Sequence, residues 1–270
     1  MRRIPTLELL VHLHPYAFTF AILDREQRKI VAFESTVQEH STDKQLPADS
    51  IASWLQQHSD MFGLPFKLSR AAVFSNEYTI LPEKTEQPGA VFRLLGYPAN
   101  EAHTYLKNKL QEYFFVYFAL PDATIQLLEN HLPNVEFYCS DYGFLTFYNQ
   151  KLSFKKYLAA QVFGQELAIC HHNGETLTYY NTFPVKAKED LLYYLRLTYE
   201  QLQLDINEYP TYLYGCIEEK SPIYSTSYGY IRNLEIDRTL KNTLPYTYGV
   251  EDIPLHYYIN VWGLGDHLST

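Results

Sequence analysis

His12 and His14 alternate within the apolar run 7–13, Leu-Glu-Leu-Leu-Val-His-Leu. On a strand, alternate side chains face the same side, so the pair could supply two ligands to a metal ion. No third ligand is marked, and half-exposed strand histidines account for the pair without a metal. His171 and His172 precede Asn173-Gly174, a type I′ hairpin signal, and read as solvent-exposed turn residues. Asp141-Tyr142-Gly143 has the text of a phosphate-loop Asp-x-Gly, but it follows a strand and opens a helix. A carboxylate placed against a helix dipole explains it better, and Asp49-Ser50 reads the same way. Cys139, Cys170 and Cys216 are far apart and form no CxxC, which points to buried free thiols and to neither zinc nor disulfides. GxSxG, Walker A, HExxH and GxGxxG patterns are absent, and no residue is assigned a catalytic role.

The elements that must position these residues follow from periodicity. Residues 7–13 form a strand ended by His14-Pro15, and 16–23 and 29–37 form a hairpin around the polar turn 24–28. A loop is expected over 38–47. Residues 48–62 read as one amphipathic helix, with Ile51, Trp54, Leu55 and Phe62 on a shared face and Gly63 and Pro65 beyond its end. Strands at 70–74 and 78–81 lead to a loop-rich insert, 82–100, containing a short helix at 91–95. Residues 103–109 and 112–120 make a second hairpin, whose latter strand is apolar enough to be covered on both faces. Pro121-Asp122 open a helix through His131, 135–139 is a strand, and Ser140 caps a helix beginning at Asp141.

The order then recurs about 147 residues later, a spacing too long for a solenoid and suited to two related halves. Strands are expected at 157–163, 167–170 and 175–183, the most periodic helix at 186–204, strands at 212–217 and 233–237, and a terminal helix at 253–265.

Composition bounds the classes. Of 270 residues, 46% are hydrophobic and 20% charged, so the chain is globular. No apolar run reaches the roughly 18 residues of a membrane span, and Met1-Arg2-Arg3-Ile4-Pro5 lacks a following signal-peptide core. A cytoplasmic protein without membrane insertion is expected. The net charge of −9 argues against nucleic acid as a partner, because phosphate binding draws on Lys and Arg. Tyrosine is abundant, at 25 residues. It suits strand faces, and also a tyrosine-rich surface that binds another protein.

Three strands joined by hairpins, then helix, strand, helix and strand, all done twice, resembles the actin-like ATPase fold. Hexokinase, the Hsp70 ATPase domain and the pilus-assembly and cell-division relatives of actin share this ribonuclease H-like α/β architecture. The whole chain is similar to an uncharacterised Bacteroidetes family assigned that fold. The resemblance implies a first half over 1–150, with an insert around 82–120, and a second over 151–270, each with a mixed sheet and flanking helices. In active members each half opens on an Asp-x-Gly hairpin whose carboxylate serves magnesium and whose glycine admits phosphate. The matching stretches here are Val11-His12-Leu13-His14-Pro15-Tyr16 and Ala160-Gln161-Val162-Phe163-Gly164-Gln165-Glu166. His12 and His14, then Gln161 and Gly164, are thus degenerate phosphate-loop equivalents, and Pro15 removes an amide donor. The adenosine motif is reduced to Gly215-Cys216, followed by Glu218-Glu219.

That pattern implies a non-catalytic pseudo-ATPase, a binding or scaffold protein with a protein partner and with no metal or cofactor assigned. The alternative is a divergent Mg-ATP-binding ATPase or small-molecule kinase, working between the halves with carboxylates from Asp141, Glu166 or Glu218. A metal-dependent enzyme using His12 and His14 is a third reading.

Overall fold

The computed structural model describes residues 6–37, 46–82, 85, 87–97, 102–111, 114–151, 155–237 and 253–265, with backbone only for 148–151. The chain forms two compact units. One takes the described residues up to Thr146 and those from Asn260 onward, and the other takes Phe147 to Asp237 and Ile253 to Ile259.

The first unit is built on a five-stranded sheet. Strands β1 (Leu7–His14), β2 (Ala17–Asp24), β3 (Lys29–Val37), β4 (Leu68–Val73) and β8 (Val135–Cys139) lie in the order β3-β2-β1-β4-β8. The β1–β2 and β2–β3 pairs are antiparallel, while β1–β4 and β4–β8 are parallel. Every residue of β2 and all but the first of β1 are buried, which is why both read as nearly continuous apolar runs. β3, at the edge, is buried only at Ile30.

The helix expected over 48–62 is two helices, α1 (Ala48–Gln57) and α2 (Ser59–Phe62), broken at His58. His58 leaves helical geometry at φ −105°, ψ 17°, and its ring nitrogens lie 2.8 Å from Trp54 O and 2.9 Å from Glu34 Oε1. Trp54 and Phe62 nonetheless share a face, as the periodicity required, and pack on Phe20 of β2.

The insert is an antiparallel sheet of order β5-β7-β6, from β5 (Tyr78–Leu81), β6 (His103–Lys109) and β7 (Phe115–Pro121), with helix α3 (Pro88–Leu94). Val116 to Leu120 of β7 are fully buried, as expected of a covered strand, and Phe92 of α3 stacks on Tyr105. Glu112 and all of the expected 38–47 loop except Leu46 and Pro47 lie outside the described residues.

Helix α4 (Asp122–His131) starts where Pro121-Asp122 indicated. Helix α5 (Tyr142–Lys151) begins one residue later than expected. Asp141, not Ser140, occupies the capping position, because its carbonyl accepts the first helical bond from Leu145 N at 2.9 Å. The sequence's Asp-Tyr-Gly triplet has a packing role: a Cβ on Gly143 would sit 2.0 Å from Asn260 O, and one on Gly263 2.0 Å from Gly143 O. The last helix, α8 (Ile259–Gly265), therefore approaches α5 at a distance only glycine permits. Its C-terminal carbonyls are held by arginines. Arg70 Nη1 donates to Leu264 O at 3.2 Å and Arg25 Nη2 donates to Gly265 O, while buried Glu8 pairs with Arg25 at 2.9 Å and with Arg70 at 3.5 Å. Cations at a helix C-terminus oppose its negative end.

The second unit carries strands β9 (Lys156–Phe163), β10 (Glu166–Asn173), β11 (Leu177–Pro184), β12 (Thr211–Gly215) and β13 (Leu234–Ile236) in the order β11-β10-β9-β12-β13. The pairing senses repeat those of the first sheet: two antiparallel, then two parallel. Leu158, Ala160 and Val162 of β9 join Leu191, Leu195 and Tyr199 of helix α6 (Asp190–Leu202) and Tyr224 of helix α7 (Pro222–Tyr228) in one core. α6 starts four residues later than expected. Asp190 Oδ2 accepts from Lys186 N at 2.6 Å and Ala187 N at 2.8 Å, which fixes a turn ahead of the helix.

The Asn173-Gly174 turn is also not type I′, since only Gly174 has a positive φ (97°). Asn173 Oδ1 instead accepts from Glu175 N and Thr176 N, both at 2.9 Å, a side-chain turn that spares Asn173 the left-handed conformation. The expected terminal helix begins as a 3₁₀ turn, Leu255–Tyr258, before α8.

Candidate functional site

In sheets with parallel strands, ligands collect outside the carboxyl ends. In the first unit that end holds His12, His14 and Ser140. Alternation does put both histidines on one side of β1, with ring centroids 5.8 Å apart. They are buried and not half-exposed, at 2% and 3%. His12 Nε2 lies 2.8 Å from Ser140 Oγ, and burial pushes its pKa down to about 3, so the ring is neutral. His14 Nδ1 accepts from Tyr16 N at 3.3 Å, closing the Pro15-Tyr16 turn, and the ring packs against Tyr16 and Phe74. Among the described residues no group of three His, Cys, Asp or Glu side chains could hold a metal ion.

Beyond the end of β4 lies a cavity of about 380 Å³ whose walls include Phe74, Ser75, Glu77, His103, Leu120 and Thr124. Ser75 ties its rim together: Oγ donates to Ala119 O at 2.6 Å and accepts from Glu77 N at 3.1 Å. Glu77 Oε1 stands 3.6 Å from His103 Nδ1, and neither Glu77 Oε2 nor His103 Nδ1 has a hydrogen-bond partner. Sequence reasoning missed this pair. The residues are 26 apart, Glu77 in the bend before β5 and His103 at the start of β6, and no spacing rule links them.

The second unit brings Gln161, Gly164, Gly215 and Cys216 to the corresponding end of its sheet. Gln161 lies opposite Ala168 and Tyr214, two residues before the end of β9, as His12 lies two before the end of β1. Its side chain is 2% exposed and its Nε2 has no hydrogen-bond partner. Gly164 makes the β9–β10 turn at φ 60°. Gly215 has φ 84°, and a Cβ there would fall 1.9 Å from Val162 O, the same carbonyl that accepts from Cys216 N at 2.8 Å. Close approach of β12's end to β9 thus requires this glycine. Cys216 is exposed, contrary to the buried thiol expected, while Cys139 and Cys170 are buried. Tyr214 OH donates to Asp237 Oδ2 at 2.6 Å, and burial beside that carboxylate holds the phenol well above its usual range.

Of the carboxylates named for the alternative reading, Asp141 caps α5, Glu166 opens β10, and Glu218 Oε1 accepts from Tyr257 OH at 2.9 Å. His171 and His172 are not exposed turn residues. Both are buried on β10. A register shift beside them brings Thr178 Oγ1 within 2.5 Å of His171 Nδ1, and Tyr209 OH is 2.6 Å from Nε2. His172 stacks on Tyr157 with planes 5° apart. Burial lowers the pKa of both histidines, and pushes Tyr209 up to about 12.

Residues 3–234 match the family described as a protein of unknown function, DUF3822. The chain belongs to this family. Among curated proteins nothing matches it. A crystal structure from Bacteroides thetaiotaomicron, described as a protein with an actin-like ATPase fold and unknown function, is 18% identical. It covers 89% of this chain and 95% of its own, with a TM-score of 0.75. The PilM-PilN type IV pilus biogenesis complex matches at 13% identity, 95% and 97% coverage and a TM-score of 0.67. The filament of AlfA from a Bacillus subtilis plasmid matches at 10% identity, 96% and 98% coverage and a TM-score of 0.51. At these identities the likeness shows the fold, and this member of the family has the actin-like ATPase fold. No helix of the described residues is long and apolar enough to cross a membrane.

Proposed function

We propose that this chain is a non-catalytic actin-like binding or scaffold protein, divided near residue 150 into two halves, whose partner is another protein. One observation carries the reading. His12 and Gln161, at matching positions near the ends of β1 and β9, are the places where the resemblance puts phosphate-loop carboxylates, and both are buried neutral side chains. His12 is committed to Ser140, and the turn after it contains Pro15, which offers no amide to a phosphate. Gly215, the remnant of the adenosine motif, has a full packing explanation against Val162. PilM, whose fold this chain shares, is described in complex with PilN, which makes a protein partner a natural occupant for such a module. The acidic net charge favours a partner that is not nucleic acid.

Calorimetric titration with Mg-ATP and Mg-ADP to millimolar concentration is the test. No heat at two temperatures, together with a stoichiometric protein recovered from native lysate, is the expected result. Micromolar nucleotide binding overturns it in favour of a divergent ATPase or kinase using Asp141, Glu166 or Glu218.

A further inference from the structure

We propose that the cavity beyond β4 binds an organic cation, an alkylammonium or guanidinium group, through the carboxylate of Glu77. This goes beyond the proposed function, and it stands whether or not nucleotide binds elsewhere.

The cavity's volume of about 380 Å³ is within the range of small-ligand pockets. Its wall is divided by chemistry. Phe74 and Leu120 offer apolar surface to an alkyl stem, and Glu77 with His103 forms the polar end. The Glu77 and His103 side chains are 15% and 19% exposed, so both have lost most of their water. Their separation of 3.6 Å is too long for a hydrogen bond, and Glu77 Oε2 and His103 Nδ1 are each left without a partner. Among the described residues no lysine or arginine pairs with Glu77. A desolvated carboxylate oxygen without a donor is costly, and that cost is removed when a bound N–H cation supplies one. The carboxylate turns about a broad terminal torsion, so it can present an oxygen to the cavity without moving the backbone.

Glu77's hydrogen bonds to the rim are made by its main chain. Its N–H donates to Ser75 Oγ at 3.1 Å and its carbonyl accepts from Ala119 N at 2.9 Å. Among the described residues the carboxylate's one ionic neighbour is His103, in a protein whose net charge of −9 attracts cations. The same chemistry arrives as a free amine or as an Arg or Lys side chain of a partner segment.

The experiment is calorimetric titration of the full chain with three probes: a capped Gly-Arg-Gly peptide, the same peptide with neutral citrulline for arginine, and agmatine. The arginine peptide or agmatine is expected to bind saturably. The citrulline peptide is expected to bind roughly tenfold more weakly than the arginine peptide or not at all, the worth of a charge-assisted hydrogen bond. Glu77→Gln, checked for an unchanged circular dichroism spectrum, should weaken the cationic probes by a similar factor. Tighter binding of the peptide points to a partner segment, and tighter binding of agmatine to a free amine. Equal affinity for arginine and citrulline, undiminished binding by Glu77→Gln, or no saturable heat with either cation overturns the proposal. The citrulline comparison uses only the wild-type protein and so does not depend on the variant folding.

Discussion

The two sheet ends have the same strand order and the same pairing senses, and they differ in how they close. The first sheet closes with side chains: His12 on Ser140, His14 between Tyr16 and Phe74, and a proline in the turn. The second closes with backbone. Left-handed glycines at 164 and 215 bend the chain, and Gln161 is left with an unanswered amide. Strand pairing is made by main-chain hydrogen bonds that every residue type except proline can complete. The side chains at the strand ends are then free to diverge, so equal topology does not entail equal chemistry.

The sharpest way to break the comparison is to add a methyl group where backbones touch. Gly143→Ala in the first unit and Gly215→Ala in the second should each cost about 3 kcal/mol or more, because their Cβ atoms would overlap a carbonyl oxygen. Urea midpoints would show it. Gly164→Ala, with a positive φ, should cost only about 1 kcal/mol. A loss at Gly164 as large as that at Gly215 would mean that backbone strain, and not close approach, dominates the second sheet's end.

Arg70→Ala comes next. It removes one partner of buried Glu8 and the guanidinium that holds the end of α8, and should cost about 3 kcal/mol. A wild-type-like melting temperature would count against that clamp.

pH separates the two sheet ends more finely. The folded pKa of His12, about 3, is below its ordinary 6.5, so the unfolded chain binds the extra proton between those values. Stability is therefore fully present above about pH 6.5 and falls by about 1.4 kcal/mol per pH unit as the pH drops toward 3. In His12→Gln the acid-side slope of unfolding free energy should be smaller than in the wild type. An unchanged slope would shift the effect to other groups, with His171 and His172, also lowered by burial, the first to replace. The smallest effect is expected at Gln161→Met, which removes the unpartnered amide while keeping the shape. It should be neutral or stabilising by about 1 kcal/mol, and a clear loss would reveal a partner for that amide.

Much of the fold was legible because burial imposes a period. The continuous apolar runs of β1 and β7 and the three- and four-residue spacing of Leu191, Leu195 and Tyr199 in α6 all announced their elements. Errors clustered where a side chain competes with the local signal. His58 interrupts a periodic helix by binding Trp54 O and Glu34. Asp190 takes two amides ahead of α6, and Asn173 replaces a type I′ turn with its own oxygen. The histidines were misplaced for a related reason. His171 and His172 stand beside a turn signal, and their pairing with Leu158 and Tyr157 of β9 carries the strand through them.

The sequence alone determined the α/β class and the order of strands and helices along the chain. Each depends on residue type along the chain, which local propensity and periodicity can read. Tertiary structure decided which polar groups were buried and what they met: His12 with Ser140 across 128 residues, Glu77 with His103, and Gly143 against Asn260. Burial and pairing depend on surfaces brought together from distant parts of the chain, and a one-dimensional pattern carries no term for that distance.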